Sequence, residues 1–211
     1  VTNLNVDNKN ISDLTGIEDF TALTQLSCYD NLLTTLDVSN NTALTGLSCE
    51  NNQLTSLDVS NNTALTGLSC RNNQLTSLDV SNNTAFTILR CENNQLTSLD
   101  VSNNNALRGL FCQNNQLTSL DVINNPELKR LECQNNQLSS LDMSQNTALN
   151  FLLCYSNQLT SLDFRNKPLT QINQDRFNAL NNSDLSCILV DDVSYATAFL
   201  TNKDYTASYV T

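Results

Sequence analysis

The apolar residues of this chain recur on a fixed grid. From Leu44 the sequence reads LTGLSCENNQLTSLDVSNNTA, and from Leu65 it repeats with one change, Arg71 standing where Glu50 stood. Within each unit, apolar side chains fall in two short clusters, Leu44, Leu47 and Cys49, then Leu54, Leu57 and Val59. Leu47 and Cys49 are two apart, as are Leu57 and Val59, so each pair points to one side of an extended segment. A 21-residue coil with two short strands facing a shared narrow core follows from this spacing. No segment of the unit has the length or the 3.6-residue period of a helix. Stacked in register, such coils build two parallel sheets.

Cys28, Cys49, Cys70, Cys91, Cys112, Cys133 and Cys154 mark seven regular coils, numbered here from Leu23. A degenerate first coil precedes them at residues 1–22, with Val1, Leu4, Val6, Ile11, Leu14, Ile17 and Phe20 as its apolar positions. The regular repeats run over 23–167. Lys167 then replaces an Asn of the pattern and Pro168 follows it, so residues 168–182 are expected to leave the coil as an insertion, with a loop or one helical turn near Asp175 to Leu180. Residues 183–211 form the expected C-terminal cap, where Tyr195, Phe199, Tyr205 and Tyr209 could cover the end of the core. Solenoids need such caps because the last coil otherwise shows apolar surface to water.

The segment LxxLxCxxNxL resembles the conserved segment of leucine-rich repeats, with Cys for the third Leu. With the LxxLDVxxN that follows, each unit is similar to the short nested 21-residue repeats of bacterial, Bacteroidetes-type proteins. The resemblance implies a mainly β solenoid of about eight coils, with LxC strands on the concave face, LDV strands on the convex face and little or no helix. It also implies an extracellular or cell-surface location and a binding face on the concave strands.

Composition sharpens the picture. Leu accounts for 36 residues and Asn for 35. Asn52 and its equivalents at one bend, and Asn62 and its equivalents at the other, are expected to turn inward and satisfy backbone groups of the adjacent coil. The eight Cys suggest a disulfide framework or metal cluster, but their period makes them a column of buried thiols, all reduced, with Cys187 as the eighth rung. A straight line of thiols cannot surround one metal tetrahedrally.

The absence of His removes Ser-His-Asp and Cys-His nucleophile pairs. Glu92 and Glu132 remain as acid/base candidates, but no pocket is implied, so the chain reads as non-catalytic and without a cofactor. The net charge of −11 argues against nucleic acid. Seven acids form one convex column, and Asp58, Asp79, Asp100 and Asp121 are its weak calcium candidates; a solvated column bonded to nearby hydroxyls is the favoured alternative. No apolar run approaches the ~20 residues that span a bilayer. Val1-Thr2-Asn3-Leu4 has neither a basic nor an apolar signal region, so a secreted protein would be represented by its mature part.

The positions that break the repeat lie around the Cys strand. There the chain carries Tyr29, Arg71, Ile88, Arg90, Glu92, Phe111, Gln113, Arg130, Glu132, Phe151, Leu153 and Tyr155. Exposed aromatic and Arg residues together match the composition of binding hot spots. A protein partner on coils four to seven is the leading reading, with a monomeric receptor. The alternative is a carbohydrate stacked on the aromatic rings.

Overall fold

The computed structural model describes residues 1–167, 169–172 and 175–211. Its long sheet holds nine parallel strands. These are β1 (Asn3–Asn5), β2 (Gln25–Ser27), β3 (Gly46–Ser48), β4 (Gly67–Ser69), β5 (Ile88–Arg90), β6 (Gly109–Phe111), β7 (Arg130–Glu132), β9 (Phe151–Leu153) and β11 (Phe177–Asn178). The register follows the repeat, with Leu47 opposite Leu68 and Leu68 opposite Leu89. A second sheet pairs β8 (Ser140–Asp142), β10 (Ser161–Asp163), β12 (Cys187–Leu189) and β13 (Ser208–Val210). The fold is the expected mainly β solenoid, with the LxC strands forming the concave sheet and one short helix, α1 (Val193–Phe199).

The core is one continuous column of Leu, Cys and Val. Leu44, Cys49, Leu54 and Val59 are all inaccessible to solvent, and their equivalents repeat this in each coil. Both Asn columns turn inward as the pattern requires. Asn52 Oδ1 accepts the Leu33 N–H of the preceding coil at 3.0 Å, while its Nδ2 donates to the Cys28 and Cys49 carbonyls at 3.0 and 3.1 Å. Asn62 Nδ2 donates to the Val38 and Asn41 carbonyls, each at 2.9 Å. One side chain thus pairs backbone groups from two coils, which a buried bend cannot leave unmet.

The two Asn of each NNQ pair do different work. Asn51, Asn72, Asn93, Asn114 and Asn135 lie at φ near +55°, where Asn is among the best-tolerated non-glycine residues. Their amides form a ladder of their own, Asn72 donating to Asn51 and Asn93 to Asn72, on the outside of the bend.

Three details depart from the sequence pattern. The convex LDV segments pair as strands only over the last coils, where β8 and β10 are hydrogen-bonded neighbours and β12 and β13 continue the sheet. The coil count is about ten, not eight, because the presumed insertion and cap keep winding. Pro168, Asn173 and Gln174 of the 168–182 segment lie outside the described residues. Around them, Leu169–Gln171 forms a 3-10 turn, and Phe177-Asn178-Ala179 re-enters the concave sheet beside β9. The segment thus returns to the coil at Phe177 and does not leave it as the loop or helical turn expected near Asp175 to Leu180. Phe177-Asn178-Ala179-Leu180-Asn181-Asn182 restates LxCxxN with Phe for Leu and Ala for Cys. Asn182 Nδ2 donates to the Cys154 and Ala179 carbonyls as a ladder Asn does.

Cys187 is consequently not the eighth rung. It pairs with Ser161 in the second sheet, and buried Ala179 holds the rung position. The cap is also built differently. Ala196, Leu200, Ala207 and Tyr209 close the core, and half-buried Tyr195 packs against it, whereas Phe199 and Tyr205 remain 54% and 97% exposed. Lys167 takes over the ladder function: its ammonium donates to the Met143 carbonyl, the acceptor an Asn would use, and to Arg165 O at 2.7 Å.

Candidate functional site

Each concave strand turns three side chains outward in every coil: one at each end of the strand, and one just past the Cys. The Cys itself faces inward, where Cys49 Sγ lies 3.5 Å from the Ser69 carbonyl of the next coil. Burial pushes the thiols up, Cys112 and Cys154 to about 12, so none of them supplies a thiolate nucleophile at neutral pH. The cysteine column is scaffold for the face above it.

On that face the repeat-breaking residues interlock. The Arg90 guanidinium lies 4.3 Å from the Phe111 ring centroid, Arg130 lies 5.4 Å from it, and Arg130 also lies 4.0 Å from the Phe151 centroid. The order across three coil steps is Arg90, Phe111, Arg130, Phe151. Gly109, beside Phe111 on β6, gives the ring room: a β-carbon there would approach it to 3.1 Å. Phe111 is consequently only 8% exposed. The exposed apolar cluster expected of Phe111, Phe151 and Leu153 is not found, because neighbouring Arg side chains cover the first and the other two are half-buried.

Glu92 and Glu132 lie buried beneath the bases. Arg130 pairs with Glu132 at 2.5 Å; Arg71 and Arg90 each approach Glu92 at 3.9 Å. Desolvation pushes the Glu92 carboxyl up, opposed by the two Arg charges. The two carboxylates are thus held apart: Glu132 is hydrogen-bonded to Arg130 and orients it, while Glu92 attracts Arg71 and Arg90 at longer range. Gln113 and Tyr155 are half-buried along the same column, as is Tyr29 three coils before the Arg–Phe stack begins. Tyr29 is not brought to the cluster.

A depression of ≈ 420 Å³ lies on the same face over Gly46 and Gly67, bounded by Gln25 at one end and by Ile88 and Arg90 at the other. The repeat-breaking residues of the sequence do not mark it, because it is made by small ones. The signal was there: Gly46 and Gly67 with Ser48 and Ser69 leave two adjacent coils without side-chain bulk, beside Ile88. The Gln25 carboxamide folds across Gly46, but a β-carbon on Gly67 would meet nothing within 4 Å.

On the convex side, Asp58, Asp79, Asp100 and Asp121 form the expected column. Each carboxylate accepts the backbone N–H two residues on, from Ser60, Ser81, Ser102 and Ile123, at 2.9 Å. Bonds to the Ser hydroxyl and N–H hold Asp58, Asp79 and Asp100 below the usual carboxylate range. Among the described residues no three His, Cys, Asp or Glu converge as a metal site, and no helix is long and apolar enough to cross a membrane.

Residues 1–104 match the family model described as the endo-beta-N-acetylglucosaminidase EndoS LRR domain. A stretch of 41 residues is 51% identical to Internalin J of Listeria monocytogenes serotype 4b, which is 19% of this chain and 4% of that protein. The solved functional domain of InlJ from Listeria monocytogenes, whose description notes a cysteine ladder, is 36% identical with a TM-score of 0.62. That alignment covers 99% of this chain and 53% of that one. An internalin, inlF, from Listeria monocytogenes and an LRR protein from Leptospira interrogans share the fold, at TM-scores of 0.74 and 0.72 and identities of 24% and 22%. Both are matched by all of this chain over 62% of their own. This chain thus spans a small part of its curated relative and about half of the InlJ domain. Coil geometry and these likenesses together give this chain the leucine-rich repeat fold.

Proposed function

We propose that this chain is a non-catalytic recognition module that binds a protein partner through the concave face of coils four to seven, on the surface of a bacterium or outside it. Its likeness to a domain of a Listeria internalin supports the bacterial, extracellular setting. The observation that carries the choice of partner is the state of the aromatic rings. A sugar-binding face needs free ring surfaces, but guanidinium groups already lie over Phe111 and Phe151. Stacked and ion-paired Arg residues are pre-ordered donors, and immobilising them in advance lowers the entropy lost on binding. Arg residues held this way are the type that dominates protein interfaces.

The test compares the protein with Arg90→Ala/Phe111→Ala/Phe151→Ala on extracellular-matrix and cell-surface preparations, beside a polysaccharide panel. Binding that the triple variant loses, and that protease treatment of the preparation abolishes, supports the proposal. Binding that survives protease but not periodate oxidation would replace it with the carbohydrate reading.

A further inference from the structure

The basic residues are distributed unevenly. The chain carries ten Lys and Arg against a net charge of −11, yet Arg71, Arg90, Arg108, Lys129 and Arg130 all fall within coils three to six. Of the acids beside them, Glu92 and Glu132 are buried under the Arg side chains, Glu50 is half-buried and Glu127 is exposed. Arg108 and Lys129, one before each outward strand position on β6 and β7, are exposed, and among the described residues neither enters an ion pair. The outer layer here is positive on a strongly acidic molecule.

Next to it is the depression over Gly67. Its floor is the strand backbone at Gly46, Leu47, Gly67 and Leu68, whose two Leu side chains face the core, and one wall is Ile88, which at 45% exposed is among the most open large apolar residues of the regular coils. Its polar lining is underused: Ser69 Oγ, Arg71 Nε and Glu50 Oε2 are buried from water and make no hydrogen bond. Buried polar atoms in this condition are costly unless a ligand or water meets them. A groove with an apolar wall, unpaired donors and acceptors in its lining, and a row of bases running from one end is complementary in shape and in charge to one kind of occupant.

We infer that the concave face takes an acidic, extended protein segment, whose one large apolar side chain seats over Gly67 against Ile88 and whose carboxylates lie along Arg90, Arg108, Lys129 and Arg130. The distance fits. Gly67 and Arg130 are three coil steps apart, ~14 Å at the spacing of parallel strands, which about four extended residues span. This rests on the concave-face reading above and adds the chemistry of the partner. A sulfated or uronate polysaccharide would satisfy the bases, but it would leave exposed Ile88 without a counterpart.

The experiment selects phage-displayed random dodecapeptides on the immobilised protein and measures the affinity of the winners for four proteins. These are the unmodified chain, Arg108→Glu/Lys129→Glu, Gly67→Trp and the convex control Ser77→Trp. Gly67→Trp fills open space at a position that carries Ile88, Arg130 and Phe151 in other coils, so it folds, and Arg108 and Lys129 are exposed. The expected result is peptides rich in Asp and Glu around one large apolar residue. Their binding falls about tenfold or more in the charge-reversed and Gly67 variants, weakens with salt, and is unchanged in Ser77→Trp. Selected peptides that are neutral or basic, yet are blocked by Gly67→Trp, overturn the inference while leaving the concave-face reading intact. Peptides blocked by Ser77→Trp alone overturn both. No enrichment, or heparin binding that competes with every peptide and is lost in Arg108→Glu/Lys129→Glu but not in Gly67→Trp, also overturns it.

Discussion

Asn94 is the residue at which the architecture can be tested most sharply. Its Oδ1 accepts the Leu75 N–H at 3.0 Å, and its Nδ2 donates to the Cys70 and Cys91 carbonyls, each at 3.1 Å. In Asn94→Ala these losses are unequal. The Cys70 carbonyl keeps the amide of Asn73 and the Cys91 carbonyl keeps that of Asn115, so both retain a partner. The Leu75 N–H loses its side-chain acceptor inside the bend. One orphaned buried donor costs ~1–3 kcal/mol, and weakening two already shared carbonyls adds ~0.5–1 kcal/mol each, so the expected loss is ~3–4 kcal/mol. Its neighbour provides the control. Asn93 is exposed at φ 56°, and Asn93→Gly removes ladder amide bonds while easing the backbone, for a net change within ~1 kcal/mol. Asn94→Asp separates donor from acceptor: it keeps an oxygen for Leu75 but sets the other against two carbonyls, so it is no milder than Ala. Urea unfolding followed by far-UV circular dichroism measures all three, with the slope checked for fraying of single coils. An Asn94→Ala loss no larger than that of Asn93→Gly, or a full rescue by Asp, would show that the inward amides are not what holds adjacent coils together.

Other expectations are quicker to check. Cys187 alone is partly exposed, so native protein should show one thiol reacting rapidly with a disulfide reagent and seven reacting only after unfolding. An intact-mass shift indicating native disulfides would contradict this. Lys167 is buried, and burial depresses its amine to about 8 from 10.5. Between those values the unfolded chain holds more protons, so this group makes stability rise with pH across roughly 8 to 10.5 and lowers it fully below 8. Lys167→Asn should therefore stabilise the protein by ~1–2 kcal/mol at neutral pH, after discounting for screening, and flatten that pH dependence; a destabilised variant would mean the ammonium is the better ladder group there. Phe111→Ala should cost ~2 kcal/mol of stability from lost burial and cation–π contact, measured by the same unfolding curves.

The sequence carried the coil because a strict period ties each residue to its neighbour 21 positions away, and inward Leu, Cys and Asn follow from spacing alone. It was less informative where meaning depends on a neighbouring coil. Phe111 reads as an exposed ring until Arg90 and Arg130 are placed beside it, and Gly109 explains why it can lie flat. Cys187 has the local form of a rung, but Phe177-Asn178-Ala179 had already taken that slot without a Cys to announce it. The groove over Gly67 was invisible for a related reason: it is made of missing side chains, and a list of distinctive residues does not record them. Nor does NNQ spell out that its first Asn is there for a positive φ and its second for the buried amide.

The most direct test of concave-face recognition is a hydrogen-exchange map of the protein with and without a bound partner, taken from the selection or from surface extracts. The account predicts added protection in β4 to β7 and in the residues just after them, with the convex turns around Asp58, Asp79 and Asp100 unchanged. Protection confined to those convex turns, with the concave strands exchanging as before, would contradict it.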